Sequence, residues 1–266
     1  GVRGSISCPS PDYMTYGGNT SCVEVNAGNQ QIILDAGTGL RRLGDYNVEN
    51  NIQKSTILFS HTHWDHITGF PFFAPVFQDK SQITLLAGHL HSTGGIKKVL
   101  TDQMMNPIFP VPIDALEARL SFQDFRAGET FTIGDDIKIE TALLNHPGDA
   151  TGYRINYREK SLCYITDTEH VPDRPDTNIL NLITNSDLLI YDSTYTPEEF
   201  PAKIGWGHST WDEGLRLAKE ANVKAFAVFH HDPNHNDTFM QNLELEVRKR
   251  WSSAFIAKEN MQISLD

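Results

Sequence analysis

The chain has 266 residues, enough for one large domain with an ample core, and its 39% apolar and 21% charged residues are those of a soluble globular protein. A formal net charge of −12 argues against a broad basic face for duplex nucleic acid. It leaves a small phosphate substrate open, because bound divalent ions reverse the local sign. No run of about 18 apolar residues occurs, so no membrane span is expected. Gly1-Val2-Arg3-Gly4-Ser5 lacks a basic-then-apolar signal pattern. Cys8, Cys22 and Cys163 read as buried free thiols, which suits a cytoplasmic location, and no Cys-x-x-Cys knuckle is present.

Residues 1–35 read as strands around glycine turns. Ser21–Val25 alternates, Ala27-Gly28-Asn29 turns, and Gln31–Leu34 is a further strand. Asp35-Ala36-Gly37-Thr38-Gly39 then leads to a short helix, Leu40 to Tyr46. Ile57-Leu58-Phe59 is short, apolar and partly β-branched, the pattern of a buried strand. It runs straight into His61-Thr62-His63-Trp64-Asp65-His66, four potential ligands in six positions. The C-terminal end of a strand is where open α/β sheets place ligands. His61 and His63 point the same way on extended backbone. Imidazole and carboxylate both bind zinc and similar metals, and Asp65 and His66 can serve a second ion from the adjoining turn.

Phe70 to Phe77 is aromatic and Pro-rich, and a core role is preferred over lining the mouth of a site. Gln82–Gly88 reads as a parallel strand and Thr93–Met105 as a helix, with Thr93 as cap; His89 and His91 flank that junction as non-ligands. The stiff segment 104–112 either walls a pocket or simply packs, and a short helix, Ile113 to Leu120, follows. Residues 121–166 alternate and read as a second, antiparallel sheet, with strands near 120–125, 131–133, 137–144, 151–157 and 161–165. Asn145-His146 and Thr166-Asp167 stand at strand ends. Asn178–Ser186 is a helix, and 187–195 a strand ending in carboxylate Asp192. Gly207-His208-Ser209-Thr210 opens the helix Trp211–Ala221; Lys224–Phe229 is a buried strand leading to His230-His231-Asp232-Pro233. Thr238–Trp251 is a final helix and Gln262–Leu265 an edge strand.

His-Thr-His-Trp-Asp-His, followed in order by His146, Asp167, His208-Ser209-Thr210 and His230, resembles the motif series of the metallo-β-lactamase superfamily, in particular its tRNase Z-like and cyclic phosphodiesterase branches. The resemblance implies an α+β fold, the αββα sandwich of two mixed β-sheets flanked by helices, as a single domain over 1–266. It implies two divalent metal ions, with zinc expected and manganese or iron open. His61, His63 and His146 would hold one ion, Asp65, His66 and His230 the other, with Asp167 bridging; His231 is the alternative to His230. Asp35 would support a ligand histidine, or cap a helix. Asp65 and His208 are the expected catalytic residues, with His208, Ser209 and Thr210 facing the scissile phosphate and Asp192 orienting His208.

The expected activity is hydrolysis of a small, cyclic nucleotide-like phosphodiester by a hydroxide shared between the metals. A tRNase Z-type endoribonuclease and a thioester or lactam hydrolase are the alternatives. Only 20 positions, 147–166, separate His146 from Asp167, room for a hairpin but not for an inserted tRNA-gripping arm. The resemblance also implies a homodimer.

Overall fold

The computed structural model describes residues 1–90 and 94–265; His91 and Thr93 lie outside the described residues. The chain divides into two compact units, Gly1 with Ser21–Arg126 and Val2–Thr20 with Ala127–Asp266.

The first unit is built on β1 (Val23–Ala27), β2 (Gln30–Leu34), β3 (Lys54–Phe59), β4 (Gln82–Ala87) and β5 (Arg119–Asp124), hydrogen-bonded in that order. The first pair is antiparallel and the rest are parallel. β3 and β4 are buried along continuous apolar halves because inner parallel strands are covered on both faces. β5 corrects the sequence reading, which put 120–125 in the second sheet. It is an edge strand whose exposure alternates, and alternation alone does not say which sheet a half-exposed strand joins. Its helices are α1 (Leu40–Glu49), α2 (Trp64–Ile67) and α3 (Gly95–Gln103). The aromatic segment is core: two 3-10 turns bury Phe70, Phe73 and Val76 with Leu40, Phe59 and Leu100. In the stiff connection after α3, Met104 is buried, Ile108 is exposed, and Phe109 meets Phe72 edge-on. The helix expected over 113–120 is only a 3-10 turn, Ile113–Ala115, before β5.

The second unit carries β6 (Thr130–Ile133), β7 (Ile137–Leu144), β8 (Ala150–Tyr157), β9 (Lys160–Ile165), β10 (Leu188–Asp192), β11 (Ala225–Phe229) and β12 (Ala254–Ile256). They form one sheet in the order β12-β11-β10-β9-β8-β7-β6. β6 to β9 meander antiparallel, and β9 to β12 are parallel. β8 and β9 form a tight hairpin with Tyr157 opposite Lys160. Helices α4 (Thr177–Ile183), α5 (Trp211–Glu220) and α6 (Asp237–Arg250) begin at side-chain caps, Asp176, Thr210 and Asn236. Ile179, Leu215, Met240 and Val247 pack from these helices with Leu189, Tyr191 and Phe226 of the strands. The closing strand is β12, not 262–265, which is not in a strand. Cys163 is buried against the Leu182 carbonyl and burial pushes its thiol up to about 12, whereas Cys8 and Cys22 are only half-buried.

Candidate metal and catalytic site

In the first unit the donors gather where β3 ends. Asp35, directly after β2, adopts a left-handed backbone (φ 62°), a conformation that costs a non-glycine residue about 1–3 kcal/mol and persists only where surroundings enforce it. Here the enforcement is visible. Its fully buried carboxylate accepts from the Ser60 amide (2.7 Å), the Ser60 hydroxyl (2.7 Å) and His66 Nδ1 (2.8 Å). Asp35 therefore orients a histidine and is not a helix cap; Gly39 precedes α1. A carboxylate at Nδ1 selects the Nδ1–H tautomer and turns the Nε2 lone pair outward. That Nε2 lies 3.2 Å from Asp65 Oδ2. The His61 ring sits 4.5 Å from that of His63 and 4.2 Å from that of His66. His89 is buried beside the Thr62 hydroxyl at 3.2 Å.

In the second unit β7, β9, β10 and β11 run the same way, so their C-terminal ends bring His146, Asp167, Asp192 and His230 to one edge of the sheet. Asp167 (φ 56°) and His230 (φ 62°) repeat the left-handed turn of Asp35. The two oxygens of Asp167 face different imidazoles: Oδ1 lies 3.9 Å from His146 Nε2 and Oδ2 lies 3.3 Å from His230 Nε2. His146 Nδ1 donates to the Gly207 carbonyl at 2.7 Å. His230 Nδ1 meets the Thr194 hydroxyl at 2.9 Å, and that hydroxyl lies 2.7 Å from Asp192 Oδ1. Asp192 Oδ2 is 3.0 Å from His208 Nδ1. One buried carboxylate thus steadies His208 directly and His230 through Thr194, and it also accepts from the Thr168 and Thr194 amides. The His208 ring stacks on His230 at 4.9 Å and meets Tyr195 edge-on at 5.9 Å.

These donors fit a divalent cation. Once Nδ1 of His66 and His230 is committed to its partner, Nε2 and the carboxylate oxygen facing it at 3.2 and 3.3 Å are both acceptors. Two lone pairs held that close need a positive charge between them. Within the second unit, donor atoms of His146, Asp167 and His208, and of Asp192, His208 and His230, lie within 4.8 Å of one another.

Several other residues near these donors have hydrogen-bond partners of their own within the unit. The Ser209 hydroxyl is fully buried between Tyr191 (3.0 Å) and His170 (2.8 Å), and burial lowers the pKa of His170. Thr210 caps α5 through the Glu213 amide. Both hydroxyls are spent inside the unit. His231 turns from His230 and donates Nε2–H to the Ala257 carbonyl at 2.9 Å; burial, then the Arg3 guanidinium, lower it to about 3, so it stays neutral. His235 binds Glu199 at 2.9 Å and Asp237 accepts from the Thr15 and Tyr16 amides, so both shape the loop beside the N-terminal segment.

Sequence reasoning missed Thr194 and Glu169, and gave no contact for Gly4. A Cβ on Gly4 would fall 2.4 Å from the His230 ring. Glu169 Oε2 accepts from the Gly205 (2.7 Å) and Gly207 (2.9 Å) amides, fixing the loop before His208. Thr194 stood in a polar strand end, but nothing local distinguishes such a threonine from an ordinary turn residue.

The Beta-lactamase superfamily domain model matches residues 30–231, across both units. Ribonuclease Z of Clostridium perfringens is 26% identical over 82% of this chain and 84% of that protein. Among solved structures, the metallo-beta-lactamase fold protein YhfI of Bacillus subtilis matches with a TM-score of 0.73 at 18% identity, covering 97% of this chain and 93% of that one. A diphosphatase from the PhnP family matches with a TM-score of 0.68 at 18% identity, covering 93% and 85%. With its sheets, its strand-end ligand motifs and its match to the family model, this chain belongs to the metallo-β-lactamase superfamily of hydrolases, near ribonuclease Z relatives.

Proposed function

We propose that the chain is a phosphodiesterase acting on a small, cyclic nucleotide-like diester. His61, His63 and His146 would hold one divalent ion and Asp65, His66 and His230 a second, with Asp167 available to both. We also take residues 1–266 as a single domain. When bound, the ions supply Lewis acidity and lower the pKa of water, giving a nucleophile at neutral pH and stabilising charge on phosphoryl oxygens. Zinc suits this nitrogen-rich set, and manganese or iron can take the same ligands.

The tether between Asp192 and His208, beside His230 and Asp167, is the observation that carries this reading. A phosphodiester expels an alkoxide, which needs a proton as the P–O bond breaks. His208 supplies it, and Asp192 holds the ring in place and steadies its protonated form. A thiolate leaves without such help, so thioester chemistry gives this pair less to do. With the Ser209 and Thr210 hydroxyls committed elsewhere, His208 is the member of that triplet assigned to substrate.

Metal-replete protein should cleave bis(p-nitrophenyl) phosphate, lose that activity to chelator, and leave the monoester largely intact. Two bound metals with no diester cleavage would defeat the reading. The ribonuclease Z relatives favour a second one, a tRNA 3′ endoribonuclease, tested with a 3′-extended tRNA precursor. The tight β8–β9 hairpin, which offers no gripping arm there, weighs for the small diester. We also take the enzyme to be a cytoplasmic homodimer, which sedimentation and fractionation test.

A further inference from the structure

Trp206 needs an explanation that packing does not give. Its indole is 61% exposed and belongs to neither buried cluster. Its loop is nonetheless tightly built. Gly205 (φ 91°) and Gly207 (φ 87°) bracket it in backbone conformations that suit glycine, and both amides are held by the Glu169 carboxylate. The Trp206 amide closes a turn onto the Lys203 carbonyl at 3.0 Å. The Gly207 carbonyl takes His146 Nδ1, and the next residue is His208. A rigid loop thus presents a large aromatic surface to solvent two residues from the proposed proton donor. The Lys203 ammonium lies over the Trp206 ring, 4.2 Å from its centroid, and 5.7 Å from that of Tyr195, placing positive charge on one face of the exposed indole.

We propose that Trp206 is the stacking platform for the base of a nucleotide substrate, with Lys203 attracting its phosphate-bearing side. This rests on the phosphodiesterase reading and deepens it by assigning the residue that receives the base. Every nucleobase offers a π-face, so a single exposed indole gives affinity for bases as a class without choosing among them. Fixing the loop through Glu169 keeps the ordering cost of that stack low.

Calorimetric titration of metal-replete protein with 5′-AMP and with ribose 5-phosphate tests it, using wild type, W206F and W206L. W206L should bind AMP about tenfold or more weakly than wild type, within the range that one base–aromatic stack contributes. W206F should stay within about threefold, and ribose 5-phosphate should bind all three alike. Equal AMP affinity in W206L and wild type, equal loss of both ligands in W206L, or no AMP binding to wild type at millimolar concentration would each overturn the proposal. These readouts need no turnover. Trp206-dependent AMP binding without diester cleavage would sink the catalytic reading alone, and diester cleavage with unchanged AMP binding in W206L would sink only the platform.

Discussion

Asp192 holds the Nδ1 of His208 at 3.0 Å with one carboxylate oxygen, and through Thr194 it steadies His230 with the other. The proposed metal ligand and the proposed proton donor therefore share one buried anchor. Asp192→Asn should lower both metal affinity and kcat, whereas His208→Ala should lower kcat by about 10²–10⁴ and leave two metals bound. Metal analysis alongside diester kinetics separates them; parallel loss of metal and turnover in His208→Ala would make His208 a ligand instead of a proton donor.

Asp35 does the same work for His66 from the first unit. Removing its carboxylate frees the imidazole to rotate or change tautomer, so Asp35→Ala should weaken metal binding by about 10–100-fold. Competition with a chromophoric chelator measures this directly. Wild-type affinity in the variant would show that Ser60 and the surrounding backbone suffice to orient His66.

Gly4 lies against the His230 ring, and its amide donates to the His231 carbonyl at 3.1 Å, so the segment cannot retreat freely. Gly4→Ala should displace the ring, at about 1–3 kcal/mol of overpacking. A lower melting temperature together with reduced metal occupancy is the expected outcome; destabilisation with full occupancy would mean that the backbone yields and the ligand does not.

Asp187 joins three strand starts: it accepts from the Ser161 amide (2.8 Å) and from Lys224 Nζ (2.7 Å). Burial pushes its carboxyl up, but Lys224 and the Ser161 amide outweigh that and leave it below the ordinary value. A carboxyl lowered in the folded state stabilises above the unfolded pKa, about 3.9, and loses that contribution as pH falls through the folded value. Asp187→Asn should cost about 1–3 kcal/mol at pH 7 by urea unfolding, and the gap from wild type should shrink steadily as the pH falls below the unfolded value of about 3.9. A gap that stays constant as acid titrates the carboxyl would mean that charge is not its source.

The donor cluster His61 to His66 was legible in the sequence because it is local, and the later candidate ligands through their order in the family's motif series. His61, His63, Asp65 and His66 sit in one turn after one apolar strand, and His146, Asp167 and His230 each follow a recognisable strand end. The β8–β9 hairpin was equally readable from periodicity and turns, whereas the class of two mixed sheets came from the family resemblance. What depends on pairing was not. β5 alternates like a member of the second sheet and yet is the parallel edge of the first, because alternation reports exposure and not partner. The opposite turns of His230 and His231, the burial of the Ser209 hydroxyl and the reach of Asp192 to His208 and through Thr194 to His230 are set by contacts between residues 16 to 39 positions apart, or by a single backbone turn at φ 62°. Neighbouring residues of one chemical type look alike in sequence, and only the tertiary structure decides which of them turns toward the site.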